Sequence, residues 1–323
     1  MKKGFMMAAA ILMGAGLVMV WGALLFAHAD FAKLDWEKYQ TNTVTAQGEF
    51  TKIEINLAES DVELVLSEND RIQAVCRESA KVKHSLSVEN GTLRLSEKDE
   101  RKWYDHITFF SKPMSVTLYL PSDKYDSLKI DSRTGDITVP ETVKVSSTEI
   151  VTITGDVRLS ASMDAGLTIR TTTGDIRLTG VKAKKIDLTT NTGDILMDGI
   201  ECADGVSVKT ATGEIKASDM ICGSFDTTGS TGNVQLADTV ALGSFSIQRS
   251  TGDVRFDNSD AAEITVKTAT GEVSGTLRTE KIFITKSSTG SVRVPDTASG
   301  GICRVTTSTG DIDIRVGNKG WTD

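Results

Sequence analysis

Thr171-Thr172-Thr173-Gly174-Asp175-Ile176-Arg177-Leu178 is one copy of a pattern that returns along most of the chain. Its centre is Thr-Gly, then an acidic or small polar residue, then Ile or Val. The ten copies begin at Thr134, Thr154, Thr173, Thr192, Thr212, Thr231, Thr251, Thr270, Thr289 and Thr309, so successive steps are 19 or 20 residues. A fixed period of this length marks a stacked array, because one such unit is too small to bury an apolar face alone.

The phase of the apolar residues gives the geometry. Three places after each marker Thr stands a β-branched aliphatic, from Ile137, Val157 and Ile176 through to Val292 and Ile312. Two places further come Val139, Leu159, Leu178 and Met197, and four places before the marker come Ile130, Ile150, Ile169 and Leu188. Period-two alternation on both sides of a glycine means two strands per repeat with a sharp corner between them. Stacked at about 4.8 Å per coil, such units would form an all-β rod, a β-solenoid or β-helix, on the order of 50 Å long. The solenoid is expected over residues 128–323.

Residues 30–127 lack the Thr-Gly marker. Ile53, Ile55 and Leu57, then Asp61-Val62-Glu63-Leu64, keep the repeat phase and predict an irregular first coil. Leu86 and Val88, Asn90-Gly91, then Leu93 and Leu95 predict a tight hairpin. This region is expected to be the N-terminal β cap that a solenoid needs over its apolar end. At the other end, Asp311, Asp313 and Arg315 would put charge on the terminal strand and blunt an exposed edge.

Residues 1–29 carry the compartment signal. Lys2 and Lys3 precede a charge-free run from Gly4 to Ala29, and Asp30, Asp35 and Glu37 follow it. The run is long enough to cross a bilayer, and the lysines favour a cytoplasmic N-terminus. The expectation is a signal anchor holding the membrane through residues 4–26, single-pass, with the rest of the chain extracytoplasmic. Cleavage after Ala27-His28-Ala29 is the competing reading. The formal net charge of −8 argues against nucleic acid as a partner, since phosphate binding needs a basic footprint.

The anchor, the segment Lys102-Trp103-Tyr104-Asp105-His106 and the Thr-Gly-Asp-Ile/Val coils together resemble the bacterial putative-adhesin β-strand-repeat family, domain of unknown function 4097. The resemblance covers nearly the whole chain after the anchor. It implies a cell-envelope repeat protein and brings no catalytic residues with it.

Candidate chemistry lies in columns. Acids follow the glycine at Asp136, Asp156, Asp175, Asp194, Glu214, Asp253, Glu272 and Asp311, and Arg158, Arg177, Lys216, Arg255 and Arg293 stand two places later. Acidic and basic stripes of this kind either face a ligand or neutralise each other at the surface; the second reading is the favoured one. Ser132, Thr152, Thr171, Thr190 and Thr210 form a hydroxyl column that Arg249 interrupts, which suggests a position near a corner. Cys202 and Cys222 each stand ten residues beyond a marker and should stack on adjacent coils, as a disulfide or as two buried thiols. Cys303 falls in an inward column, and Cys76 has no evident partner.

No nucleophile elbow, phosphate loop, dinucleotide motif or zinc-protease motif is present. No catalytic, cofactor-binding or metal-binding residue is assigned, and no cofactor is expected. The leading expectation is a non-catalytic surface protein for adhesion, interaction or envelope sensing, its ligand an unidentified surface protein, glycan or cell-wall polymer. A glycan-cleaving β-helix enzyme and a self-assembling scaffold like the bactofilins are the alternatives.

Overall fold

A computed structural model describes residues 39–102 and 113–317, with a few positions between 13 and 22. Those few, among them Met13, Val18 and Trp21, are helical. Among the described residues no helix is long and apolar enough to cross a membrane. The expected anchor at 1–29 otherwise lies outside the described residues, as does the stretch from Trp103 to His106.

From the first marker onward each repeat contributes a long strand before the Thr-Gly corner and a short one after it, as in Lys182–Thr192 and Ile195–Asp198. Long strands pair in parallel with long strands, with marker threonines opposite one another: Thr134 with Thr154, Thr154 with Thr173, Thr173 with Thr192. Short strands do the same, placing Val157 beside Ile137 and Ile176 beside Val157. The β-branched column at the start of each short strand therefore becomes a continuous wall: Ile137, Val157, Ile176, Ile195, Ile215, Val234, Val254 and Val273 are all fully buried. One apolar core runs from Ile53 to Val316. This is the β-solenoid that the period predicts.

The corner shows why the second marker residue is glycine. Gly193 has φ of +146°, and a Cβ there would collide with the carbonyl oxygen of Gly174 on the coil below. The Gly174 N–H donates to the Thr192 carbonyl at 2.9 Å, tying the same two coils together. Each glycine is thus required twice, by its φ and by the close approach of its neighbour.

At the N-terminal end the coil formed by Lys52–Leu57 and Ser60–Leu66 is present as expected, but it is not outermost. Thr92–Asp99 and Met114–Leu120 stack on its far side, still parallel. The chain then returns through Lys124–Thr134 to the inner side. Antiparallel strands close the end: Val82–Glu89 covers Thr92–Asp99, Ile72–Ser79 covers Met114–Leu120, and Tyr39–Ala46 covers Ile72–Ser79. The hairpin turn falls at Asn90 and Gly91, with φ of 52° and 72°.

The C-terminal end corrects one expectation. The strand Ile312–Val316, which carries Asp313 and Arg315, is not at the edge. It lies between Val273–Leu277 and Val292–Arg293. Likewise Gly301–Thr309 pairs with Val254–Thr270 on one side and Lys281–Thr289 on the other. The last coil in sequence is inserted beneath the one before it, so the exposed edges belong to Lys281–Thr289 and Val292–Arg293. A charge column that repeats on every coil cannot reveal which coil ends the stack.

Two glycines separate the contributions to the corner. Gly180 has φ of +65° but open space where its Cβ would be. Gly180→Ala should cost about 1 kcal/mol in urea unfolding, the left-handed penalty alone. Gly193→Ala should cost several times more, about 3 kcal/mol or above, because a main-chain oxygen must also move. Equal losses in the two variants would remove the stacking argument.

Candidate functional site

The acidic column is explained by main-chain chemistry. Asp136 Oδ1 accepts the backbone N–H of Asp156 at 2.9 Å, Asp156 Oδ1 that of Asp175 at 2.9 Å, Asp175 Oδ1 that of Asp194 at 2.8 Å, and Asp194 Oδ1 that of Glu214 at 2.8 Å. Asp61 starts the ladder by accepting from Asp136 N at 2.9 Å. Asn233, which has no charge, plays the same part for Asp253 at 2.9 Å. What the column provides is a short side-chain acceptor for an N–H that the corner leaves without a main-chain partner. The basic stripe lies over it: Arg158 reaches Asp156 at 2.9 Å and Asp136 at 3.3 Å, and Lys216 reaches Glu214 at 2.6 Å. These pairs are largely exposed and add little each.

The hydroxyl column is more buried than its interruption by Arg249 suggests. Thr152, Thr190, Thr210 and Thr307 are nearly inaccessible. Thr190 Oγ1 donates to the Gly174 carbonyl at 3.2 Å, and Thr307 Oγ1 to the Gly271 carbonyl at 3.1 Å. Arg249 is buried too, 5% exposed. Its guanidinium occupies the space that Gly229 leaves on the adjacent coil, where a Cβ would collide with it. It donates to the Thr210 carbonyl at 3.4 Å, while Nε and Nη2 have no partner among the described residues. Burial lowers its pKa to about 10, so it is still charged at neutral pH.

All four cysteines are buried free thiols. Cys202 and Cys222 are register partners on adjacent strands, as their spacing predicts, but no disulfide joins them. Burial pushes the Cys222 and Cys303 thiols up to about 12. They remain protonated and weakly nucleophilic at neutral pH. Among the described residues no group of three or more His, Cys, Asp or Glu side chains is placed to hold a metal ion.

The cap contains an arrangement that sequence reading missed. Ser60 Oγ lies 3.0 Å from His84 Nε2, and His84 Nδ1 lies 3.0 Å from Glu78 Oε2. Glu97 stands on the other side, accepting from Ser60 Oγ at 3.4 Å and from the Ala58 backbone N–H at 3.2 Å. The order is that of a serine–histidine–acid relay. Ser60, His84 and Glu78 are all buried, however, so the hydroxyl does not meet a substrate from solvent. Burial pushes the Glu78 carboxyl up, but hydrogen bonds from Lys83, the His84 backbone, Asn42 and the His84 ring outweigh it and hold the pKa near 2. The residues lie between 6 and 37 positions apart on four different strands. No local motif announces them.

A surface feature with room for a partner runs along the flank, where the long strands begin. A groove of about 550 Å³ is lined by Lys124, Tyr125, Lys144, Met163 and Lys182. A second of about 450 Å³ shares Met163 and Lys182 and continues past Glu201 and Cys202 to Ile221 and Leu242. Lys144 pairs with Asp123 at 3.3 Å and Lys182 with Glu201 at 2.8 Å. Ile221 and Leu242 are 56% and 74% exposed and close the groove with bare apolar surface.

The Toastrack DUF4097 family model matches residues 50–237 and 203–322. No curated protein matches the chain. Solved structures with a similar outline include a putative adhesin from Bacteroides fragilis, 14% identical, covering 86% of this chain and 97% of that one with a TM-score of 0.42. A putative adhesin from Parabacteroides distasonis is 10% identical, covering 85% and 97%, with a TM-score of 0.48. A putative cell adhesion protein from Clostridium sporogenes is 12% identical, covering 87% and 99%, with a TM-score of 0.22.

If the ladder needs an acceptor and not a charge, Asp175→Asn should unfold within a few tenths of a kcal/mol of the parent, whereas Asp175→Ala should lose about 1–2 kcal/mol. Matching losses in denaturant titrations would assign the column to charge. The Glu78 pKa is lowered from its ordinary 4.5 to about 2. Its contribution, on the order of 3 kcal/mol, is complete above pH 4.5 and lost as pH falls towards 2. Melting temperatures between pH 5 and 2 should therefore fall steeply in the parent and less steeply in Glu78→Gln; parallel curves would contradict the assignment.

Proposed function

The chain belongs to the Toastrack DUF4097 family, and we propose that it acts as a non-catalytic interaction rod of the cell envelope. In this reading residues 4–26 hold the membrane and the solenoid projects outside, where it meets a surface protein, glycan or wall polymer in an adhesive or sensing role. One observation carries the reading. The flank groove runs over successive coils of a single rigid core and ends in Ile221 and Leu242, apolar side chains that the fold itself does not cover. A rigid rod loses little conformational entropy on binding, which suits contacts spread along its length.

A second reading, hydrolysis, is favoured only by the Ser60–His84–Glu78 relay. Its burial weighs against it, and a serine-directed phosphonate probe decides. Labelling that disappears in Ser60→Ala would establish an active serine; absence of labelling on the folded chain fits the non-catalytic reading.

For the rod itself, the labelled full-length chain in detergent should be retained saturably on purified wall polysaccharide or other isolated surface fractions of the source. Ile221→Asp combined with Leu242→Asp should weaken retention about tenfold or more. Retention on no surface fraction, or retention indifferent to the double substitution, would overturn this assignment.

A further inference from the structure

The two ends of the solenoid are finished differently. At the N-terminal end every outer parallel strand is covered by an antiparallel one. At the C-terminal end, among the described residues, Lys281–Thr289 pairs only with Gly301–Thr309, and Val292–Arg293 only with Ile312–Val316. Each has one side bonded and one side open, and an open strand edge is a template for another strand.

The side chains there are not those of a finished surface. Ile282, Ile284 and Ile302 are 40–43% exposed on the outer face, and Ile282 stands directly opposite Ile302. On the inner face Phe283 and Val294 are only partly buried where their counterparts on earlier coils are fully covered, and Val292 is 43% exposed. Core residues therefore lie bare at the end of the stack.

Charge selects the occupant. Lys286 follows Ile284 on the outer row of the edge strand, with Arg304 opposite Ile284 and Lys267 one strand further in. All three are exposed, and none forms a salt bridge among the described residues. Two copies meeting edge to edge would bring these cations together, and edge lysines are a device against that pairing. An acidic strand would be drawn in.

We propose that the edge Lys281–Thr289 is a strand-addition site for an extended acidic segment of another protein. The inference deepens the interaction-rod reading by naming one partner chemistry, and it uses a surface separate from the flank groove. The alternation of the edge specifies the guest. Beside Ile282 and Ile284 it carries apolar outward side chains, and beside Lys286 an acid. Its inward residues lie over Phe283 and Thr285, apolar and then small. Main-chain hydrogen bonds supply affinity and the alternate side chains supply selectivity.

The test uses a fluorescent synthetic peptide with two outward valines followed by two glutamates, titrated against the full chain in detergent and followed by anisotropy. Saturable binding is expected. Methylating alternate backbone nitrogens of the peptide should weaken it about tenfold or more, since the strand bonds are then blocked. Lys286→Glu should weaken it about tenfold and should improve binding of the peptide with lysines in place of glutamates. No binding, or binding indifferent to both methylation and Lys286→Glu, overturns the site. So does self-association of the parent chain that Lys286→Glu alters, because a second copy would then be the occupant. Wall retention that survives while peptide binding fails removes this proposal alone; retention lost with Ile221→Asp and Leu242→Asp leaves peptide binding unchanged if the two surfaces are distinct.

Discussion

The main-chain contact between stacked glycines sets how closely one coil meets the next. In a parallel ladder the strands themselves tolerate many side chains, but the corner does not. Gly155, Gly174, Gly193 and Gly213 each have φ near +145° and each would drive a Cβ into the carbonyl of the preceding glycine. With that approach fixed, the β-branched residue two places on is fixed as well, and it must fall on its predecessor. A wall of Ile and Val follows because β-branched side chains fit a pleated, buried surface. The core and the register of the coils both descend from this one contact.

The same corner explains why its acids are spread evenly along the rod. Turning the chain there leaves an N–H that the preceding coil satisfies through a short side chain, and Asp or Asn has the reach. The ladder confirms this by where it stops. Glu214 and Glu272 donate their own N–H groups to Asp194 and Asp253 on the coil below, but among the described residues neither longer carboxylate accepts from the next coil, and Glu214 pairs instead with Lys216. A column that looks like a ligand surface in sequence is largely part of the scaffold.

The period, the inward columns, the hairpin at Asn90-Gly91 and the stacking of Cys202 on Cys222 were legible because each depends on spacing along the chain. The order of coils at the ends was not. Thr289 and Thr309 carry equally good markers, and nothing in a 19- or 20-residue step says that the second coil inserts beneath the first. The charges at Asp313 and Arg315 therefore suggested an edge that the structure places inside. The Ser60–His84–Glu78 relay was illegible for a related reason: its members meet only because antiparallel strands fold back over the first coils. Arg249 misled in another way. Its charge implied exposure, yet the missing side chain of Gly229 on the next strand makes room for it inside.

That compensation between neighbours extends through the later coils. Going up the column five places beyond each marker, Met197, Ala217, Leu236, Phe256 and Gly275 differ widely in bulk, and Gly275 lies directly over Phe256 where a Cβ would collide with its carbonyl. Phe225, Phe245 and Phe256 gather in the same region, with ring centroids 6.2 Å apart in each successive pair. A solenoid core is thus packed between coils as much as within them, so a change of volume on one coil is felt by the coils stacked on it. The hydroxyls of Thr210 and Thr227 and two nitrogens of Arg249, which lack hydrogen-bond partners among the described residues, fall in this stretch as well. Departures from the repeat come in sets because a stacked coil shares its volume with the coils above and below it. A single substitution read alone in the sequence therefore mistakes half of a packing exchange for a site.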